Sequence, residues 1–343
     1  MPIPTISFAP IFGKDDVSRA RVVAQVRDAC LKYGFFQLVD HGVPQDLFDE
    51  MIKQSASFFS LPEDLKERYS KEQDKFQRGY ERLRAQNFEK RTAGDLKEGY
   101  YFGADLPLDH PRVVAGKFNM GPNKYPKEVT DPVKFKETMD TYYSTMLSLS
   151  KTILQVLCET MEISNEWMTE FLDIPIATLR LLHYPPQAPD ASEFERGIGQ
   201  HTDFGAVTIL LQDEVGGLQV WDRDASAWID ATPQKGALVI NLGNLMMRWT
   251  NDRYLSNLHR VINKSGKQRY SVPFFLAGNP DFLVKCFPKC ADEIEGPKYP
   301  LSRFSGGWRA VTRIHTTHRR IKPLENSRKA KLKLEWPRSR QHT

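Results

Sequence analysis

The chain has 343 residues, of which 40% are apolar, 27% charged and 11% aromatic, with a net charge of +5. That is the make-up of a folded protein with a sizeable core, and it excludes a disordered chain or a small disulfide scaffold. No apolar run approaches the roughly 20 residues a membrane helix needs, and the opening MPIPTISFAPIFGKDD lacks the charged and apolar regions of a secretory signal, so the expected location is cytoplasmic.

The positive charge sits at one end. Nine basic residues stand against two acidic ones between Arg319 and Arg340, and the rest of the chain is nearly neutral. A nucleic-acid binder carries its charge on the folded body, so neither nucleic acid nor membrane is an expected partner. The basic tail, residues 321–343, reads as a flexible, solvated end. Cys30 and Cys158 fall in helical patterns as small buried groups, and Cys286 and Cys290 have no partner pair for a zinc site.

In chain order, Thr5 to Phe8 predicts a short strand. DDVSRARVVAQVRDACLKYG predicts an amphipathic helix closed by Gly34. GFFQLVDHGVP predicts a strand stopped at Gly42 and Pro44, followed by a helix interrupted at Pro62. Residues 71–130 are loop-rich, a feature that often carries function. Asp131 and Pro132 form an N-cap and N1 pair ahead of a long helix. Its stripe of Phe135, Met139, Tyr142, Met146, Leu149, Ile153 and Val156 reads as core packing. From Ala177 onward, short apolar runs separated by Gly, Pro, Asp and Asn predict strands of a barrel or double sheet, and SGGWRAVTRIHTTHRR predicts a final helix. Strands and helices do not alternate, so a parallel α/β sheet is disfavoured. The fold class is mainly β with flanking helices. Residues 1–130 form a helical N-terminal region with short strands and substrate-facing loops, and 131–320 form a β catalytic region with its long helix. The two make one unit.

One stretch carries chemistry. In RGIGQHTDFGAVTILLQ, His201 and Asp203 stand two apart, which on a strand places both on one face. His259 opens another strand-like run, SNLHRVI, and Arg269 and Ser271 follow on one face of QRYSV. Each alone has a duller explanation: a hydrogen-bonded core histidine, a turn aspartate, a surface ion pair. Together they describe two imidazoles and a carboxylate on one side of a metal, the facial arrangement of non-haem iron(II) oxygenases. Zinc accepts such donors too. Iron makes better sense of Arg269, whose fork grips a carboxylate by two parallel bonds. With the Ser271 hydroxyl it suits the far carboxylate of a dicarboxylic co-substrate whose 2-keto end chelates the metal. The other histidines lack this context.

On these residues the chain resembles the iron(II)/2-oxoglutarate-dependent dioxygenases of the isopenicillin N synthase type, and most closely their thymine 7-hydroxylase-like and fungal biosynthetic members. The similarity runs from about Thr5 to His318. It is carried by GFFQLVDHGVP, SFFSLPEDLKERY and QRGY in the first half. In the second half it is carried by LRLLHYPP, GQHTDFGAVTILLQDEVGGLQVW, NLGNLMMRWTND, SNLHRVIN and QRYSVPFF. The resemblance implies a double-stranded β-helix (jelly-roll) core, with His201, Asp203 and His259 as iron ligands and Arg269, Ser271 and Tyr184 holding 2-oxoglutarate. On the substrate side it implies Arg180, Phe275 and Phe204, with Tyr80, Tyr100 and Tyr101 as further pocket residues.

The implied co-substrates are 2-oxoglutarate and O2, with ascorbate as a stimulant. The implied reaction couples decarboxylation of 2-oxoglutarate to oxidation of a C–H bond in a small molecule, by hydroxylation, desaturation or ring rearrangement, in secondary metabolism. The expected state is a monomer or weak dimer. An oxidase of the same fold that needs no 2-oxoglutarate is one rival, and a binding protein with a vestigial metal site is another. Two features depart from the family pattern. Asn244 stands where Gly-Asp is usual, which alters a local cap or ion pair. The basic tail has no counterpart, so its Gln341 is not expected to reach the metal.

Overall fold

Runs of aliphatic and aromatic residues, most of them buried, form the chain's central strands and assemble into two sheets. The structure is a computed structural model that describes residues 2–88, 94–187, 190 and 196–303. The expected last helix, the basic tail and Gln341 lie outside the described residues. Twelve strands form the core: β1 (Thr5–Ser7), β2 (Phe35–Val39), β3 (Gly79–Glu81), β4 (Glu98–Phe102), β5 (Ile176–Tyr184), β6 (Ile198–His201), β7 (Val207–Gln212), β8 (Leu218–Asp222), β9 (Ala227–Asp230), β10 (Leu238–Leu242), β11 (His259–Val261) and β12 (Arg269–Gly278). The major sheet has the order β1-β2-β10-β7-β12-β5-β4-β3 and the minor sheet β6-β11-β8-β9. Only β1 and β2 pair in parallel; the other pairs among these strands are antiparallel. This is the jelly-roll core with flanking helices that the sequence predicts.

The helical first half contributes more to the core than expected. β1 to β4 supply half of the eight-stranded sheet, and β3 and β4 come from the stretch read as loop. The missed signal is EGYYF, an aromatic run with the composition of a strand. The interruption at Pro62 is real: helices Gln45–Phe59 and Glu63–Glu67 flank it.

The long helix spans Pro132–Met161, capped by the Asp131 carboxylate, which accepts from Lys134 N at 2.9 Å. All seven residues of its predicted stripe are buried. Together with the helices Asp16–Lys32 and Gln45–Phe59 it covers the outer face of the major sheet. Each fully buried side chain contributes on the order of 2 kcal/mol. Gly34 closes the first long helix at φ +65°, where a Cβ would meet Leu255 O at 2.1 Å, so only glycine fits the turn into β2. Among the described residues, no helix is long and apolar enough to cross a membrane.

Strand phase positions the site. Along β5, Ala177, Leu179, Leu181 and His183 turn to the helices, and Thr178, Arg180, Leu182 and Tyr184 turn to the minor sheet. The pairing of β5 with β12, in register from Arg269 to Leu276, puts Arg269 opposite Tyr184 and Ser271 opposite Leu182. The inner face therefore gathers polar side chains around a small apolar cluster that includes Leu182, Tyr184, Ile198, Val220 and Val261.

Candidate metal and 2-oxoglutarate site

His201 and His259 are direct cross-strand partners, since β6 and β11 pair with His259 opposite His201. Their ring centroids lie 4.2 Å apart. Each ring is aimed by a backbone carbonyl: Nδ1 of His201 lies 2.8 Å from Gly199 O, and Nδ1 of His259 lies 3.1 Å from Asn257 O. A proton on each Nδ1 leaves both Nε2 lone pairs free. Phe88 stacks on His201 at 4.7 Å, and Phe35 meets His259 edge-on at 5.2 Å.

Asp203 does not share a strand face with His201, contrary to the i, i+2 expectation. β6 ends at His201, and Asp203 lies in the turn to β7. A backbone clamp brings its side chain round: Asn244 N donates to Asp203 O at 2.7 Å. The turn can approach this closely because Gly243 lies against Gly205, where a Cβ on Gly243 would sit 2.2 Å from Gly205 O. Asn244 is thus the first residue of a short helix, Asn244–Trp249, whose cap is Gly243, and its backbone serves the site.

Oδ2 of Asp203 is saturated by Thr208 Oγ1 at 2.6 Å and Asn241 Nδ2 at 2.7 Å. Oδ1 faces the imidazoles, 3.8 Å from His201 Nε2 and 3.7 Å from His259 Nε2. Two donors of one ion lie at most about 4.2 Å apart, twice a bond of about 2.1 Å, and both distances fall inside that span. Candidate ligand atoms of all three residues lie within 4.8 Å of one another. Burial, followed by the field of His259, holds the His201 imidazole well below its usual pKa, so it is neutral near pH 7. Burial opposes ionisation of Asp203, but His259, His201 and the two hydrogen bonds outweigh it and keep the group a carboxylate. Neutral imidazoles and an ionised carboxylate are the forms a divalent metal takes.

Beyond the triad, Arg269 is fully buried. Its Nε donates to Gly216 O at 2.5 Å and one Nη reaches Gln212 Oε1 at 3.4 Å. The other, Nη1, is buried without a hydrogen-bond partner. The guanidinium lies 4.6 Å from the Tyr184 ring centroid, and Ser271 Oγ lies 3.4 Å from the Tyr184 hydroxyl. An unsatisfied buried guanidinium nitrogen beside two hydroxyls is costly unless an acceptor arrives, and a dicarboxylate supplies one.

Of the expected substrate-side residues, the structure brings Arg180, Tyr101 and Phe275 together on the inner face. The Arg180 guanidinium sits 4.5 Å from the Tyr101 ring and 4.7 Å from the Phe275 ring. Phe204 follows Asp203 in the same turn and its carbonyl accepts from Leu245 N. Tyr80 and Tyr100 are not brought there. They pair with each other across β3 and β4 in the phase that faces the helices, where both meet Phe58, at 5.9 and 4.6 Å.

The sequence reading missed several inner-face residues. Thr208 and Asn241 left a faint trace as polar positions in the apolar runs AVTILL and VINL. Phe88, Asp95 and Lys97 left none. Asp95 Oδ1 accepts from Gly199 N at 2.9 Å and so braces the residue whose carbonyl aims His201.

Comparisons with known proteins agree with this geometry. Residues 3–128 match the family model of the non-haem dioxygenase in morphine synthesis N-terminal region, and residues 175–278 match the 2OG-Fe(II) oxygenase superfamily. A 2-oxoglutarate-Fe(II) type oxidoreductase, hxnY, of Emericella nidulans is 47% identical over 87% of this chain and 85% of its own. One from Aspergillus fumigatus is 40% identical over 87% and 89%. The crystal structure of a full-length Neurospora crassa thymine hydroxylase in complex with alpha-KG superposes with a TM-score of 0.79 at 28% identity, covering 92% of this chain and 96% of that one. The chain belongs to the 2-oxoglutarate–iron(II) oxygenase superfamily. It is a dioxygenase that uses iron(II), 2-oxoglutarate and O2 to oxidise a C–H bond of a small molecule.

Proposed function

We propose that His201, Asp203 and His259 hold the iron and that Arg269, Ser271 and Tyr184 hold the far carboxylate of 2-oxoglutarate. The observation that carries this reading is the division of labour around the triad. Every polar atom pointing away from its centre is occupied by Gly199, Asn257, Thr208 or Asn241, while the two Nε2 atoms and Asp203 Oδ1 converge. The orphaned Nη1 of Arg269 supports the second half: a bidentate carboxylate satisfies it, and Ser271 and Tyr184 add hydroxyl donors.

Iron(II) at this site, with 2-oxoglutarate, supplies the activation of dioxygen. The chain's own share is to keep the His201 imidazole neutral and aim both rings inward, to fix the Asp203 carboxylate with one oxygen inward, to orient the co-substrate from Arg269, and to place one substrate C–H bond while excluding water. The reaction belongs to secondary metabolism. A cytoplasmic setting fits four cysteines that are all free thiols.

The test is calorimetric titration of iron(II), then of 2-oxoglutarate, into the wild type and His201→Ala. The wild type is expected to bind both and to release succinate in step with product. His201→Ala is expected to lose iron binding and turnover while keeping its melting temperature within a few degrees. Iron affinity unchanged in His201→Ala overturns the metal assignment. Product formed without succinate favours the oxidase reading.

A further inference from the structure

We propose that the substrate presents a single planar anionic group, a carboxylate or its equivalent, to Arg180. The argument is one of charge balance on the inner face of β3, β4 and β5, and it rests on assigning the triad to iron and Arg269 to 2-oxoglutarate. Among the described residues, three cations gather there, Lys71, Lys97 and Arg180, against the two carboxylates of Glu81 and Asp95. The lysines are spoken for. Lys71 Nζ lies 2.5 Å from Glu81 Oε1, and Lys97 Nζ lies 3.5 Å from Glu81 Oε2 and 2.8 Å from Gln86 Oε1. The Tyr101 hydroxyl is also committed, donating to Glu81 at 2.6 Å and accepting from Gln86 at 3.1 Å. One positive charge is left over, and it is Arg180.

The surroundings of Arg180 select the shape of its ligand. Its Cζ lies 4.5 Å from the Tyr101 ring centroid and 4.7 Å from the Phe275 ring centroid, so two aromatic rings flank the guanidinium. Among the described residues it forms no hydrogen bond or ion pair, and its Nε is buried without a partner. A guanidinium held this way accepts a planar oxyanion edge-on through two parallel bonds, and the flanking rings extend an apolar wall for a flat substrate body. The site connects to the triad through hydrogen bonds: Gln86 joins the Tyr101 hydroxyl to Lys97, and Asp95, bonded by Lys97 N, accepts from Gly199 N beside His201.

The experiment uses the full chain loaded with iron(II) and saturating 2-oxoglutarate under anaerobic conditions, so that Arg269 is already occupied. Benzoate and its neutral counterpart benzamide are titrated by calorimetry into the wild type, Arg180→Gln and Arg180→Lys. Benzoate is expected to bind the wild type about ten-fold more tightly than benzamide. Arg180→Gln is expected to remove that preference while 2-oxoglutarate affinity stays within about two-fold, and Arg180→Lys to restore part of it, since a lysine keeps the charge without the fork. Equal binding of the two probes by the wild type, no binding of either, or a preference that survives in Arg180→Gln overturns the proposal. A wild type that binds benzoate in an Arg180-dependent way yet takes up no 2-oxoglutarate leaves this inference standing and overturns the reading of Arg269.

Discussion

The strands β3, β4 and β5 carry a buried carboxylate on each of their two faces, and the two are finished differently. On the helix side, Glu98 accepts from Lys66 Nζ at 2.7 Å and from the Tyr80 hydroxyl at 2.6 Å, and meets His183 Nδ1 at 2.7 Å. His183 passes its other nitrogen to Gln268 and is stacked between Phe59 and Tyr270. The polar partners in this group are protein atoms. On the inner side, Glu81 pairs with both Lys71 and Lys97 but leaves Arg180 unsatisfied, and Arg269 further along the same face also has an orphaned nitrogen. Burial is similar in the two groups, so burial does not separate structure from function here. The two groups differ in the donors left unpaired at Arg180 and Arg269: a network closed by protein partners holds strands to helices, and an open one can take a ligand.

The contrast can be broken from either side. The largest effect is expected for Arg269→Ala, which should weaken 2-oxoglutarate binding roughly a hundred-fold, about 3 kcal/mol for a buried, charge-assisted pair, with little change in melting temperature. On the opposite face, Glu98→Gln should cost about 3 kcal/mol of folding stability by leaving Lys66 unneutralised and should leave 2-oxoglutarate affinity alone. Calorimetry and chemical denaturation on both variants measure the two sides of that contrast.

Acid sharpens it. Burial alone would raise the Glu81 pKa, but Lys97 and Lys71 overcome this and hold it down to about 2. A depressed carboxylate stabilises the fold fully above its ordinary value of 4.5, and that share is lost as pH falls from there to about 2. It amounts to about 3 kcal/mol. Glu81→Gln is expected to flatten the stability curve across that window, which denaturation at stepped pH reads directly. The smallest effect is expected for Asn241→Ala, which frees one bond to Asp203 Oδ2 and should weaken iron binding about ten-fold.

How much of this was legible beforehand differs by residue. His201, His259, Arg269 and Ser271 were readable because their types and spacing stand out against apolar runs, and the alternation of β12 alone puts Arg269 and Ser271 on one side. Tyr100 and Tyr101 were not separable. Both faces of EGYYF carry a tyrosine, and only pairing with β5, which sets Tyr101 opposite Arg180, fixes which one looks inward. Asp203 joined the triad for a reason the spacing did not contain, since its turn is bent into place by the bond from Asn244 N. Phe88, Asp95 and Lys97 come from a segment about a hundred residues before His201 with no periodic signal of its own.

The amino-acid sequence by itself determined the kind of chemistry, because metal-binding and carboxylate-binding side chains are rare, specific and spaced to the strand repeat. It also determined the long helix, because a cap and an apolar stripe are local. The tertiary structure alone decided which polar groups are satisfied and which are left open. Satisfaction depends on partners brought from distant strands by register, and a shift of one residue would exchange the two faces.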